Sequence, residues 1–185
     1  IVNAESLEEI GDYAFSNCRN LVSPLMAGES LKNIGKEAFR NCKSLSGEIV
    51  LSPGLSEISA NTFYGCTQVE SFVLPESIVM IGEGAFSQCV SLKKINIPRN
   101  ITVIPNEMVS GCRCLEGVLE IPEKVVSIGD SAFESCYRFT ELKLPQNLES
   151  IGREAFYGCS GLEGTLKLPE KLTSIGISSF YECSR

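Results

Sequence analysis

The residues with the widest chemical repertoire in this sequence are its nine cysteines, and their spacing is nearly constant. Eight of them follow one another in steps of 23 or 24 residues, while Cys114 lies outside the series. The eight are Cys18, Cys42, Cys66, Cys89, Cys112, Cys136, Cys159 and Cys183. Zinc sites usually have two to four residues between paired cysteines, or add histidine. The sequence has no histidine and no such pair, since only Arg113 separates Cys112 from Cys114, which is too tight a spacing to chelate one metal in the usual way. A constant period points instead to a repeat architecture.

Composition excludes several functional classes. Histidine is absent, which removes Ser-His-Asp and Cys-His catalysis. The net charge of −7 argues against binding to nucleic-acid phosphates. No apolar run approaches the ~20 residues of a membrane-spanning helix, and there is no signal-peptide pattern. No phosphate-binding loop, GxSxG motif or repeated carboxylate pair is present, so we predict no catalytic residues, no metal site and no cofactor.

Other residue types recur in step with the cysteines. An isoleucine opens each of eight units, and in most units a small residue and a phenylalanine follow it by four and five positions. The isoleucines are Ile10, Ile34, Ile58, Ile81, Ile104, Ile128, Ile151 and Ile175. Glycine follows the isoleucine in six of the eight units. Units this short cannot hold a core of their own, so we expect them to stack as coils whose columns become interior ladders.

Each coil contains segments that predict short strands. Ile95-Asn96-Ile97, Leu142-Lys143-Leu144 and Leu166-Lys167-Leu168 alternate apolar and polar residues, as half-buried strands do. A proline such as Pro145 often ends the segment, because it has no N–H to continue a ladder. A second short extended piece leads into the isoleucine. Only about seven residues lie between glycine and cysteine, which predicts a short turn or 3-10 segment there.

The string Leu-x-x-Ile-Gly-x-x-Ala-Phe-x-x-Cys-x-x-Leu resembles the BspA-like, or Treponema-type, leucine-rich repeat, and the resemblance covers the whole chain. We therefore predict a β-rich, right-handed leucine-rich-repeat solenoid of about eight 23–24-residue coils with parallel strands, forming one domain over residues 1–185. Proteins with such repeats are mostly secreted or surface-attached, and several are implicated in adhesion.

The resemblance implies a function as well as a fold. It implies a non-enzymatic protein-binding module of a secreted or cell-surface protein, acting in adhesion or in binding to an extracellular or host protein. One alternative is a structural spacer or stalk that supports another domain. A carbohydrate-binding accessory module is a further alternative, which a long aromatic groove would favour.

The cysteine column admits three interpretations: disulfides between neighbouring coils, a metal array, or small buried hydrophobic side chains. Stacked coils bring the Cα atoms to a bridgeable distance. Thiols in one register point the same way, however, and do not supply the dihedral angle near 90° that a disulfide needs. We therefore predict free, buried cysteines in the column. Cys114 is expected to be partly exposed and to be the one thiol that reacts in the folded protein.

The fifth unit departs from the pattern. Pro105 stands where most units have glycine, and Met108-Val109 replaces the small residue and phenylalanine. One residue grew while its neighbour shrank, so the volumes suggest compensation, with Met108 filling the layer. A functional kink or a binding notch is the alternative interpretation.

The polar positions beside the strand leucines vary among units while the core columns do not. They are expected to face the open side of the sheet, where repeat scaffolds usually bind partners. The N-terminal half, with Pro24 and Met26, is fairly apolar, and the C-terminal half alternates in charge. The predicted ligand-binding residues, hereafter the concave strip, are Lys94, Asn96, Glu120, Glu141, Lys143, Thr165 and Lys167. Mixed charge suits a protein partner; a merely solvated face is the alternative.

A second candidate surface is an aromatic patch in the turn after the phenylalanine. Tyr157 and Tyr181 share one register in consecutive coils, and Tyr137 lies nearby. Exposed tyrosines favour recognition. The alternative is that they cover the coil edge.

Two further features concern the wider protein. Neither Ile1-Val2-Asn3 nor Cys183-Ser184-Arg185 belongs to a polar capping repeat. We therefore expect a piece of a longer repeat protein, and end-to-end self-association through uncovered coils. Asn100-Ile101-Thr102 is a glycosylation sequon that has meaning only in a eukaryotic secretory protein.

Overall fold

The computed structural model describes residues 5–22 and 28–183, and over these ranges the chain is a parallel-strand β-solenoid of about seven turns. The predicted solenoid is confirmed, with a turn number close to the expected eight. Within the two described ranges there is no helix, and hence none long and apolar enough to cross a membrane. Residues 1–3, Pro24, Met26 and residues 184–185 lie outside the described ranges.

Within residues 5–22 and 28–183, thirteen short strands form two columns along the solenoid. In chain order they are β1 (Glu9–Ile10), β2 (Asn33–Ile34), β3 (Ser46–Val50), β4 (Glu57–Ile58), β5 (Gln68–Val73), β6 (Met80–Ile81), β7 (Lys94–Ile95), β8 (Val103–Ile104), β9 (Glu116–Glu120), β10 (Ser127–Ile128), β11 (Arg138–Lys143), β12 (Ser150–Ile151) and β13 (Ser174–Ile175). The isoleucine column consists of β1, β2, β4, β6, β8, β10, β12 and β13. The long-strand column consists of β3, β5, β7, β9 and β11.

In the isoleucine column, a glycine that follows an isoleucine carries the ladder to the preceding coil wherever two strands of the column pair. The N–H of Gly82, for example, donates to the carbonyl of Ile58 at 2.7 Å. Pro105 has no N–H to donate in this place, and β6 and β8 do not pair. β2 and β4 do not pair either, where Ser59 replaces the glycine. The departures that the sequence reveals in this column therefore coincide with breaks in its ladder.

The long-strand column is also interrupted at the fifth unit. β3, β5 and β7 form one parallel sheet and β9 and β11 another, so β7 and β9 do not pair. The prediction of a strand at Leu166-Lys167-Leu168 is wrong, since this segment forms no strand. Its leucines are 36% and 53% exposed, so little apolar burial holds the segment against β11.

A ladder of stacked phenylalanines forms the centre of the core. The ring centroids of Phe39 and Phe63 lie 5.5 Å apart, with 6° between the ring planes. Phe133 and Phe156 stack in the same way at 5.3 Å. Between these two runs the column holds Val109, so the ring stack breaks at the same unit as both strand columns.

The segment from glycine to cysteine is a turn in every coil, and no 3-10 helix occurs in the described ranges. The prediction of a short turn or 3-10 segment is therefore confirmed, as a turn. Two positions in each turn have a left-handed backbone, as at Glu37 (φ 55°) and Asn41 (φ 55°). Two left-handed residues in one short segment prevent a continuous right-handed helix. They also leave alternate N–H groups free for the next coil: that of Phe39 donates to the carbonyl of Thr62 at 2.9 Å.

Candidate functional site

The concave strip lies on the outer side of the long-strand column, and all seven of its residues are exposed. The parallel register places Lys143 on β11 directly opposite Glu120 on β9, and Glu141 opposite Val118. Lys94 pairs in register with Ser71 of β5. The structure therefore brings Glu120, Glu141 and Lys143 together on two paired strands, with Lys94 across the break between β7 and β9.

The remaining members of the strip lie in different settings. The Asn96 side chain accepts a hydrogen bond from the N–H of Leu74 and donates one to the Leu74 carbonyl, both at 2.7 Å. The Asn96 amide thus hydrogen-bonds to the backbone of the preceding coil. In other coils, backbone groups make the corresponding hydrogen bond, as between the Leu51 N–H and the Val73 carbonyl. Thr165 and Lys167 lie in the segment that forms no strand, so β11 does not hold them in register.

The charges of the strip are uncommitted. Over the part of the chain that the structure describes, Lys94, Glu120, Glu141 and Lys143 make no ion pair and no side-chain hydrogen bond. Their sequence neighbours are paired instead: Lys93 lies 2.9 Å from Glu70. The strip thus presents unpaired charges of both signs on aligned strands.

A cleft of about 460 Å³ opens between β7 and β9. Lys94 and Glu120 of the concave strip stand at its rim, and Ile97, Val109 and Phe133 form part of its apolar lining. Met108 also lines the cleft and is fully buried. Sequence reasoning marked the unit but missed the cleft; the signal was the simultaneous departure of two columns at Pro105 and Val109.

The structure places the two tyrosines of the aromatic patch side by side. The rings of Tyr157 and Tyr181 stack at 5.5 Å, and Tyr181 is 58% exposed. Glu182 and partial burial raise the pKa of Tyr157, because a nearby carboxylate disfavours the phenolate. The same column holds Tyr64, and there the guanidinium of Arg40 covers the ring at 4.6 Å from its centroid. The patch itself has Glu134 in the place next to Tyr157 that corresponds to Arg40.

All nine cysteines are free, and six of the eight in the column are buried, which confirms that prediction for the interior coils. Cys114 is half-buried. The expectation that only Cys114 is accessible is wrong, because Cys18 is exposed and Cys183 is only half-buried. Both lie in the outermost described coils, where a second coil covers one side only. Burial raises the pKa of Cys42 to about 11 and that of Cys159 to about 12.

No metal site emerges from the described residues. They contain no group of three or more cysteine, aspartate or glutamate side chains arranged to hold an ion. The buried thiols form a single file, and each donates to a backbone carbonyl of the preceding coil, as Cys66 does to Phe39 at 3.2 Å.

Comparisons with known proteins agree with this geometry. A family model of the BspA type leucine rich repeat region matches residues 1–116 and 114–185. A leucine-rich repeat protein of T. pallidum is 30% identical, with a TM-score of 0.61, over 97% of this chain and 71% of that protein's chain. A leucine-rich repeat protein from Eubacterium ventriosum is 24% identical, with a TM-score of 0.73, over 83% of this chain and 41% of the other.

A leucine rich cell surface protein from Faecalibacterium prausnitzii is 22% identical, with a TM-score of 0.62, over 94% of this chain and 48% of the other. The chain therefore spans less than half the length of the E. ventriosum and F. prausnitzii proteins. At sequence identities of 24% and 22%, these two similarities establish the fold alone. A comparison with curated protein sequences finds no match. Repeats of this class form scaffolds that present a surface to partners. Since the family model matches both halves of the sequence, this chain belongs to the BspA-type leucine-rich repeat proteins.

Proposed function

We propose that this chain is a non-enzymatic protein-binding module of a secreted or cell-surface protein, acting in adhesion or in binding to a host protein. The observation that carries the proposal is the set of unpaired charges on the concave strip. Lys94, Glu120 and Lys143 hold fixed positions on short paired strands, so their charge pattern is preorganised. Complementary charge across an interface selects the partner and speeds encounter.

Two further observations support the proposal. The F. prausnitzii neighbour is named a cell surface protein, which favours an extracellular or cell-surface location for this chain. The carbohydrate alternative needs exposed rings in the concave face, and Phe72, the aromatic residue of β5, is 2% exposed. The spacer alternative predicts that the concave charges do not matter, and it is tested directly below.

The test is an adhesion assay with matched charge reversals. Beads coated with the 185-residue chain are applied to cultured epithelial monolayers. The variant Lys94→Glu/Lys143→Glu should reduce bead retention at least fivefold. The control Lys36→Glu/Lys43→Glu makes the same change in net charge at two exposed lysines in or next to the turns, outside the strip, and should leave retention within twofold. Equal loss for both pairs, or no retention above uncoated beads, would favour the spacer and overturn the proposal.

The aromatic patch is proposed as a secondary contact for basic side chains. Arg40 over Tyr64 demonstrates within the same column how a guanidinium covers such a ring. Among the residues that the structure describes, no guanidinium covers Tyr181, and Glu182 and Glu154 add negative charge around Tyr157. Tyr181→Ser should therefore weaken binding of a tetra-arginine peptide at least threefold, while Tyr64→Ser should not. Equal binding by both variants would remove the patch from the proposal.

A further inference from the structure

We propose that the cleft between β7 and β9 is an anchor pocket for one aromatic side chain, carried by an extended peptide segment of mixed charge in a protein partner. The inference rests on the proposed protein-binding function and names the chemistry of the segment that would be recognised. It follows from the shape of the cleft, its access from the concave face and the charges at its rim.

The cleft has the position of a missing ring. Phe72 and Ile95 are register partners on β5 and β7. Phe72 lies between the rings of Phe63 and Phe86, which are equivalent residues of successive units, at centroid distances of 4.9 and 4.8 Å. The next step along the solenoid has Ile95 in place of Phe72 and Val109 in place of the stacked phenylalanine. One position of the aromatic column is therefore vacated, at Val109 beside Ile95, and the cleft of about 460 Å³ that opens there has room for one planar ring.

The apolar lining is accessible from the concave face. Ile95 and Ile97 are half-buried, whereas their counterparts in neighbouring coils, such as Phe72 and Leu119, are buried. β7 ends at Ile95, and the next residue, Asn96, turns its side chain to the backbone of Leu74. With β7 and β9 unpaired, the sheet surface is open above Ile95 and Ile97.

The rim carries two uncommitted charges of opposite sign. Lys94 stands on the β7 side and Glu120 on the β9 side. The other rim charges are already paired, Lys93 with Glu70 at 2.9 Å and Glu116 with Arg138 at 3.7 Å. In an extended segment, side chains two positions apart share a face. A segment with an aromatic residue two positions from an acidic residue on one side, and two positions from a basic residue on the other, would place its ring in the cleft and its charges against Lys94 and Glu120. An anchor of this kind, an aromatic side chain desolvated in a central pocket, typically dominates interface affinity.

The experiment uses two blocked peptides and variants that fill the cleft. The probes are Ac-Glu-Gly-Phe-Gly-Lys-NH2 and, as the control with the same charges, Ac-Glu-Gly-Gly-Gly-Lys-NH2. Binding is followed by methyl NMR shifts at Ile95, Ile97 and Leu119, all of which line the cleft. The phenylalanine peptide should produce saturable shifts at these methyls, with an affinity at least tenfold greater than that of the glycine peptide. Lys94→Ala/Glu120→Ala should weaken it several-fold.

Met108→Ala/Val109→Phe restores the small residue and phenylalanine found in most units, and should abolish the shifts. If this variant does not fold, Ile95→Phe fills the same space from the strand side, following the precedent of Phe72. No shifts with the native chain, or unchanged shifts in a folded filled variant, would overturn the pocket. The pocket and the proposed function can fail separately. If the native chain does not bind the peptide, but beads coated with a filled variant are retained in the bead assay, only the pocket is refuted. Peptide binding by beads that never adhere refutes the proposed function alone.

Discussion

The thiol of Cys89 donates a hydrogen bond to the backbone carbonyl of Phe63, one coil earlier, with 3.2 Å between sulfur and oxygen. The same carbonyl accepts the N–H of Cys66 from its own coil, also at 3.2 Å. The cysteine column therefore provides a donor in every interior coil as well as a small apolar body. This accounts for cysteine, rather than alanine, at a buried position.

Replacing Cys89 should separate these two contributions. Cys89→Ala removes the donor and leaves a small void, so we expect a loss of about 1–2 kcal/mol in the free energy of unfolding. Cys89→Ser keeps a donor that can reach the Phe63 carbonyl and should cost less than the alanine variant. Urea denaturation of both variants provides the comparison. A serine variant less stable than the alanine variant would mean that the thiol acts through its hydrophobicity alone.

Thiol labelling should follow burial along the column. In the folded chain Cys18 should react fastest with a thiol reagent, because it is exposed. Cys66, Cys89, Cys112 and Cys136 should be protected, since burial hides them and raises their pKa well above the usual value. In denaturant without reductant, all nine should label. A mass that reveals coil-to-coil disulfides would contradict the free-thiol column.

Stability should decline in alkali because of the same buried thiols. Burial holds the pKa of Cys42 at about 11 and that of Cys159 at about 12, against 9.0 for the model thiol. Above pH 9 the unfolded chain loses these protons while the folded chain keeps them, so the unfolded state is favoured as pH rises. The free energy of unfolding should be constant from pH 7 to 8 and should fall between pH 9 and 11. Cys89→Ser should make that decline shallower; an unchanged slope would assign it to other groups.

The sequence was sufficient for the repeat because each column is dictated by one interior environment repeated eight times. Ile58 and Ile81, for instance, occupy equivalent places in successive coils, and β4 and β6 pair through them as the spacing predicts. The turns were less predictable, because left-handed positions are filled by residues as different as Glu37 and Gly84. Because different residue types are found at these positions, the side-chain pattern does not reveal the left-handed backbone.

The candidate site was predictable only in part. The alternation on β9 and β11 placed Glu120, Glu141 and Lys143 correctly, since register follows from the core leucines. The strand predicted at Leu166-Lys167-Leu168 does not form, because an alternating apolar and polar pattern does not by itself provide a neighbour that buries the leucines. The cleft could not be derived from side-chain volumes, because its shape beside Val109 depends on the conformations that Met108 and Ile95 adopt.

Truncation of the central ring stack should be costly. Phe86 is fully buried and contacts Phe63 and Phe72, with ring centroids 5.8 and 4.8 Å away. Phe86→Ala should therefore cost about 3–5 kcal/mol. Val103→Ala is the control, because Val103 is 48% exposed on a neighbouring strand, and it should cost less than about 0.5 kcal/mol. Urea midpoints that do not differ between the two variants would place Phe86 outside the structural core.

The glycine that follows six of the eight isoleucines allows a test of the stacking of the coils. A Cβ at Gly82 would lie 2.5 Å from the backbone nitrogen of Ala60 and 2.7 Å from the carbonyl carbon of Ser59. Both atoms belong to the preceding coil, whose backbone cannot move without breaking the ladder from Ile58. A Cβ at Gly11 has no described atom within 4 Å. Neither glycine has a left-handed backbone, so the difference between the sites is steric.

Gly82→Ala should therefore destabilise the chain by about 1–3 kcal/mol, the usual cost of overpacking. Gly11→Ala should be neutral or should stabilise by about 0.4–1 kcal/mol, because alanine restricts the unfolded chain. The two variants carry the same chemical change at equivalent positions of different coils, so a urea denaturation curve for each isolates the contact between coils. Equal stability of the two variants would mean that successive coils are not in backbone contact at this column, and the close stacking derived from the isoleucine ladder would be wrong.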